Sequence, residues 1–359
     1  MSSVSASSLS ESILVVRLGA MGDVVHALYG VTALRSACPN IRVGWVVEHR
    51  WSQLLCADGT PHFGPRTPER PLADFVHTVD TKRWRKSPFS HETRQDVACT
   101  RRELREQNYS IAADFQGALK SAILARVAGA KTVLGFAQPR EAPARFFYGN
   151  KVPPAGAHVI DHYRSLAEAI AAKPLPHCAP LLPRDHESEA RIEKWLAAVG
   201  SDFAIINPGA GWGAKQWPAE RYAKVAQALS YSGVVPVVNF GPGEQELALR
   251  VNELSNRLAQ PISCSISQLI ALTRRARLFI GGDTGPLHLA AALQIPVVAI
   301  FGPTDPARNG PYATKSIVLR NPASKTSLSH TSGPDPGLMN ITADEVIAAA
   351  HQLLENPRG

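Results

Sequence analysis

The chain alternates between short apolar runs and longer segments with helical spacing. Ile13-Leu14-Val15-Val16 is a continuous apolar run, the pattern of a strand buried on both faces. A glycine turn follows at Gly19-Ala20-Met21-Gly22, then a helical pattern over residues 24–38 that Pro39 stops. Further strands are expected at 43–47, at 111–114 and at 133–136, with a helix over 121–128 after a turn at Gly117. The alternation resumes beyond residue 186. Helices are expected at 187–199, 219–232, 244–258, 286–293 and 344–354, and strands at 203–207, 234–240, 278–280 and 297–301. Strands separated by helices imply parallel sheets with helices on their faces. The fold class is therefore α/β, with two doubly wound Rossmann-like halves.

Residues 174–186 contain four prolines and no periodicity, which marks a linker. The expected division is a tail over 1–12, an N-terminal domain over 13–175, a second domain over 176–341 and a closing helix and tail over 342–359. Residues 321–339, rich in Ser, Pro and Gly, read as an irregular surface segment. Glycine turns at 19–22, 209–213, 241–243 and 281–285 all fall at expected strand ends, where open parallel sheets bind their ligands.

Composition narrows the class. With 45% hydrophobic and 19% charged residues, wholesale disorder is excluded, and no apolar run approaches the ~18 residues of a membrane span. The Ser-rich start lacks Lys and Arg, unlike a signal peptide, so a cytoplasmic protein is expected. Five scattered cysteines without a CxxC pair fit a reducing compartment and no structural zinc. Net charge is +8, and residues 1–180 carry +7 of it. Residues 82–105 hold eight basic and three acidic side chains. Such a one-sided surface suits an anionic partner, although a solvated basic face is the plainer explanation.

Several positions could carry chemistry. The first turn lacks GxGxxG spacing and no Walker motif occurs, which argues against a dinucleotide dehydrogenase or P-loop ATPase. Asp23 is either a helix cap or a general base, and the residues alone favour the cap. Gly282-Asp283-Thr284-Gly285-Pro286-Leu287-His288 opens a helix after a strand and could hold phosphate on free N–H groups, or be a plain connection. Lys215, in a Gly-rich loop, could neutralise a diphosphate or lie in solvent. Glu244, after Gly241-Pro242-Gly243, could hold ribose hydroxyls or favour the helix dipole. Lys82-Arg83-Trp84-Arg85-Lys86 could clamp phosphates, as in a nucleic-acid binder, but no nucleic-acid motif accompanies it. The histidines form no metal cluster; His158 and His162 are four apart without a supporting carboxylate.

Five segments together resemble a known family. They are Arg17-Leu-Gly-Ala-Met-Gly-Asp23-Val-Val-His26, Val79 through Lys86, Asp114-Phe-Gln-Gly-Ala-Leu-Lys120-Ser121, Asp283 through His288, and Phe301-Gly-Pro-Thr-Asp-Pro306. In order and over residues 13–350 they resemble the lipopolysaccharide heptosyltransferases of glycosyltransferase family 9. The Lys-Arg-Trp-Arg-Lys segment, Arg140-Glu141 and Phe146-Phe147-Tyr148 resemble the heptosyltransferase I branch more than the II branch.

The resemblance implies a GT-B fold, with the two domains facing across a cleft, and an inverting transfer. It implies ADP-L-glycero-β-D-manno-heptose as donor and the inner Kdo of Kdo2-lipid A as acceptor, met at the inner membrane surface by a peripheral cytoplasmic enzyme. It implies Asp23 as catalytic base, reversing the cap preference, with Lys215 at the donor phosphates. Glu244, Asp283, Thr284, Gly285 and His288 would bind the donor. Lys82, Arg83, Arg85, Lys86, Gln116, Lys120 and Arg140 would bind the acceptor. No resident cofactor is implied, no protein ligands for an assisting divalent ion are evident, and no nucleic acid is expected as partner. The family often has hydroxyl residues just before the donor lysine; Ala210 and Gly211 stand there instead, leaving phosphate bonds to backbone N–H groups. The alternatives are another family 9 transferase with a different acceptor, and a non-catalytic binder of an anionic polymer.

Overall fold

A computed structural model describes residues 12–327, 333 and 335–355. The tail expected over 1–12 lies outside the described residues except Ser12, which opens the first strand. The chain divides into two compact units, one ending at Arg184 and the other starting at Asp185.

The N-terminal unit runs β1 (Ser12–Val16), α1 (Met21–Ala37), β2 (Arg42–Glu48), β3 (Phe75–Val79), α2 (Thr81–Lys86), α3 (His91–Glu106), β4 (Ile111–Asp114), α4 (Leu119–Val127), β5 (Thr132–Phe136), β6 (Asn150–Val152) and α5 (Val159–Ala171). Its six strands lie in the order β3-β2-β1-β4-β5-β6, with every pair parallel. β1 is buried at all five positions, as its unbroken apolar run requires. The first helix begins three residues earlier than its apolar spacing suggests and is buried almost all round. It packs on α5 at close range. A Cβ at Gly30 would meet the Tyr163 carbonyl oxygen at 2.8 Å, so only glycine allows this approach.

The C-terminal unit runs α6 (His186–Val199), β7 (Phe203–Asn207), α7 (Ala219–Tyr231), β8 (Val235–Phe240), α8 (Gln245–Leu254), β9 (Gln260–Ser263), α9 (Ile266–Arg275), β10 (Leu278–Gly282), α10 (Gly285–Ala292), β11 (Val297–Phe301), α11 (Pro306–Asn309), β12 (Ser316–Arg320), α12 (Pro336–Asn340) and α13 (Ala343–Glu355). The strand order is β12-β11-β10-β7-β8-β9, again all parallel. α8 stops at Leu254, four residues short of expectation, and the stretch expected to be irregular over 321–339 overlaps α12. The closing helix α13 buries Val346, Ala349 and Ala350 in the same core as β7, β8 and β10.

Renumbered from its own first strand, each sheet reads 3-2-1-4-5-6, the doubly wound order. The chain reverses direction across the sheet between β1 and β4 in one unit and between β7 and β10 in the other. A crevice forms at the carboxyl ends of such strand pairs, and ligands bind there.

Candidate functional site

At the first switch point, β1 delivers Arg17 and α1 begins with Ala20 as its cap. Asp23 is therefore the third helical residue and not the cap itself. Its Oδ2 accepts a bond from the Ala20 N–H at 3.1 Å and an ion pair from Arg17 Nη2 at 2.6 Å. Arg17 is buried and its Nη1 donates to the Phe115 carbonyl at 3.2 Å, whereas the Asp23 side chain is 39% exposed. The carboxylate is thus held from behind by a fixed cation and open to solvent.

Across the switch point, Asp114 ends β4 fully buried. Burial pushes its carboxyl up, against hydrogen bonds from Tyr148, the Gln116 and Gly117 N–H groups, and Ser121. Tyr148 Oη lies at 2.6 Å and Gln116 N at 2.8 Å, so the carboxyl group ties down the turn that carries Gln116. Gln116 Oε1 in turn accepts the Leu18 N–H at 2.9 Å, which stitches the two loops together.

Beside these loops lies a hollow of about 320 Å3, lined by the Gly19-Ala20 turn, Gln116 and four cations: Arg50, Arg85, Lys120 and Arg140. Glu48 and Glu141 lie on the same wall. Four of the expected acceptor residues, Arg85, Gln116, Lys120 and Arg140, meet here. Lys82 instead lines a larger cavity alongside Arg85 and Lys120. Arg83 pairs with Asp96 Oδ2 at 2.5 Å, an oxygen it shares with Trp84 Nε1. Lys86 ends α2 exposed and lines neither hollow. Sequence reasoning missed Arg50 and the partnership of Arg17 with Asp23. Arg17 directly follows the apolar run 13–16 and stands six residues before the acid, which was the available signal.

The second switch point gathers the expected donor residues. β10 ends at Gly282, and α10 starts at Gly285 with Thr284 as cap and Pro286 second. Asp283 is buried between two partners. Lys215 Nζ reaches its Oδ2 at 2.5 Å and its carbonyl at 3.3 Å; His288 Nε2 reaches Oδ1 at 3.0 Å. Burial alone would raise the Asp283 carboxyl. The His288 bond and charge, then Lys215, overcome that and hold it well below the usual carboxylate range. The Lys215 ammonium also sits 5.0 Å from the centroid of the Trp212 ring, a residue the sequence did not mark. Thr284 Oγ1 bonds the Gly282 carbonyl at 3.3 Å.

Glu244 caps α8 at the end of β8, and its Oε2 accepts the Gly241 N–H at 2.9 Å. Its carboxylate lies directly over Gly209, where a Cβ would overlap it. Three strand ends, β7, β8 and β10, thus converge on one half-buried acid, one lysine and one helix N-terminus. This arrangement suits a diphosphate with an attached ribose. Among the described residues, no group of three or more His, Cys, Asp or Glu side chains is placed to hold a metal ion.

The family model "Glycosyltransferase family 9 (heptosyltransferase)" matches residues 97–333. Lipopolysaccharide heptosyltransferase 1 of Escherichia coli O18:K1:H7 is 30% identical over 88% of this chain and 93% of its own length. The enzyme of that name from Pseudomonas aeruginosa is 30% identical over 86% and 83%. The solved structure of E. coli heptosyltransferase WaaC with ADP-2-deoxy-2-fluoro heptose superposes with a TM-score of 0.75 at 26% identity, covering 95% of this chain and 99% of that one. The two six-stranded parallel units are those of the GT-B fold, and the chain belongs to glycosyltransferase family 9, the heptosyltransferases.

Proposed function

We propose that this protein transfers L-glycero-D-manno-heptose from ADP-heptose to the inner Kdo of Kdo2-lipid A, with inversion, in lipopolysaccharide core synthesis. The observation that carries this reading is Asp23: an accessible carboxylate held by a buried arginine and bonded to the N–H of Ala20, a residue that lines the cationic hollow. A base positioned in this way takes the proton of an acceptor hydroxyl as its oxygen attacks the anomeric carbon. The bond from that carbon to the diphosphate oxygen breaks, ADP leaves with the electron pair, and the proton stays on Asp23. Charge develops on the leaving phosphate, where Lys215 and the α10 N-terminus would meet it. Asp283 stays ionised at neutral pH and holds the Lys215 ammonium in place. Glu244 would accept from the ribose hydroxyls.

The acceptor carries phosphates and carboxylates, which suits Arg50, Arg85, Lys120 and Arg140 and the +7 charge of the first half. No helix among the described residues is long and apolar enough to cross a membrane. The reading accordingly places the enzyme in the cytoplasm, peripheral to the inner membrane where its acceptor lies. Incubation with ADP-heptose and delipidated Kdo2-lipid A tests it, by ADP release and product mass. Absence of a heptose-sized mass gain would overturn it.

A further inference from the structure

A second cavity of the N-terminal unit has an apolar wall that plays no part in the chemistry proposed above. It encloses about 520 Å3 between α2, α3 and α4, within the ~300–1,000 Å3 typical of small-molecule sites. Its wall is apolar: Trp84 from α2, Val97 from α3, and Ile123, Leu124 and Val127 from α4. Core packing does not account for all of these. α3 buries only Thr93, Thr100 and Leu104, and α4 turns Ser121, Ala122, Leu124 and Ala125 inward. Val97 and Ile123 are left 42% exposed. Ile123 and Val127 are four apart on α4, so they share a helix face. Lys82, Arg85 and Arg101 line the same cavity.

An apolar floor among cations matches an amphiphile with an alkyl tail and an anionic head. A sugar or nucleotide would leave its hydroxyls unpaired against this wall. The cavity also shares Glu48, Arg50, Arg85 and Lys120 with the cationic hollow beside the Gly19-Ala20 turn, so the two are adjacent. We propose that this cavity takes one acyl chain of the anionic glycolipid acceptor, whose headgroup lies in the neighbouring cationic hollow. The proposal rests on the glycolipid-acceptor reading above and adds to it a site for the lipid tail.

Ile123→Asp puts a charge into the apolar wall, and Val97→Trp fills the space without one. Both positions are exposed enough to change without disturbing the core. Dansyl-labelled undecanoic acid is titrated against the full chain, and acceptor KM is measured with acylated and with fully deacylated Kdo2-lipid A. Each methylene buried strengthens binding roughly fourfold. Both variants should therefore weaken the probe, and raise KM for the acylated acceptor, by about tenfold or more, the loss of two methylenes. KM for the deacylated acceptor and affinity for ADP should stay near wild type. Equal probe binding by all three proteins, or an equal KM rise for both acceptors, would overturn the proposal. If wild type turns over neither acceptor, heptose transfer to Kdo2-lipid A falls, and the probe titration alone decides the cavity.

Discussion

Replacing Asp23 by Asn separates the two roles that its position allows. Asparagine keeps the shape and an oxygen that can accept from the Ala20 N–H and from Arg17, but it cannot take a proton. The structural loss is moderate. The Asp23 side chain is 39% exposed but Arg17 is 5% exposed, so the change leaves a buried cation with only neutral acceptors and costs about 1–3 kcal/mol. Arg17 keeps its bond to the Phe115 carbonyl. For a unit the size of the N-terminal one, ending at Arg184, each kcal/mol corresponds to a fall in Tm of about 2–4 °C. The catalytic loss is larger: removing a general base costs about 10²–10⁴ in rate, or roughly 3–5 kcal/mol of barrier. Single-turnover kinetics at saturating substrates, beside thermal unfolding of the same preparation, measures both. ADP affinity should be unchanged. If turnover stays within a few-fold of wild type while Tm falls, Asp23 only ties the helix start and the proposed mechanism is wrong.

Four further outcomes follow from other contacts. Lys215→Ala should weaken ADP binding and slow transfer; it also removes a charge that holds the Asp283 carboxyl low, and that carboxyl's stabilisation exists above the ordinary carboxylate pKa and disappears as pH falls through the folded value. The variant should thus begin acid unfolding at higher pH, as circular dichroism would show. His77 is buried against Tyr109, and desolvation, then the His62 charge, brings its pKa down to about 4, so its neutral form is favoured in the fold. Its contribution of about 3 kcal/mol is complete above pH ~6.5 and is lost between there and pH ~4; in urea unfolding, His77→Gln should flatten that part of the profile. Gly209→Ala should displace the Glu244 carboxylate and raise the Kd for ADP in calorimetry without changing acceptor KM. Arg85→Ala should raise acceptor KM more than Arg83→Ala or Lys86→Ala and weaken its salt dependence, because only Arg85 of the three lines the hollows while Arg83 is bound to Asp96.

The strands legible in the sequence and those that were not differ in one physical respect. β1, β2, β4, β5, β7, β8, β10 and β11 all showed as apolar runs. The four strands that did not, β3, β6, β9 and β12, are the four sheet edges. An edge strand has a neighbour on one side only, so its side chains need not be uniformly apolar. Asn150-Lys151-Val152 and Gln260-Pro261-Ile262-Ser263 have no fully buried position. α3 escaped notice for a similar reason, since it buries three of sixteen residues.

The sequence by itself determined that buried parallel strands alternate with helices, because a doubly apolar run must be covered on both faces. It also placed the glycine turns, the acids and the lysine at strand ends, and the five matched segments pointed to the family. Only the tertiary structure decided which strand ends are neighbours. The crossover from β3 back to the far side of β1 brings Leu18 and Gln116, 98 residues apart, into one hydrogen bond. The corresponding crossover in the second unit joins Lys215 to Asp283 over 68 residues. Local patterning cannot encode these pairings, since strand order is set by how all the helices and strands of a unit pack at once. The same packing left Val97, Ile123 and Val127 around an open cavity, although each reads as an ordinary apolar residue of a helix.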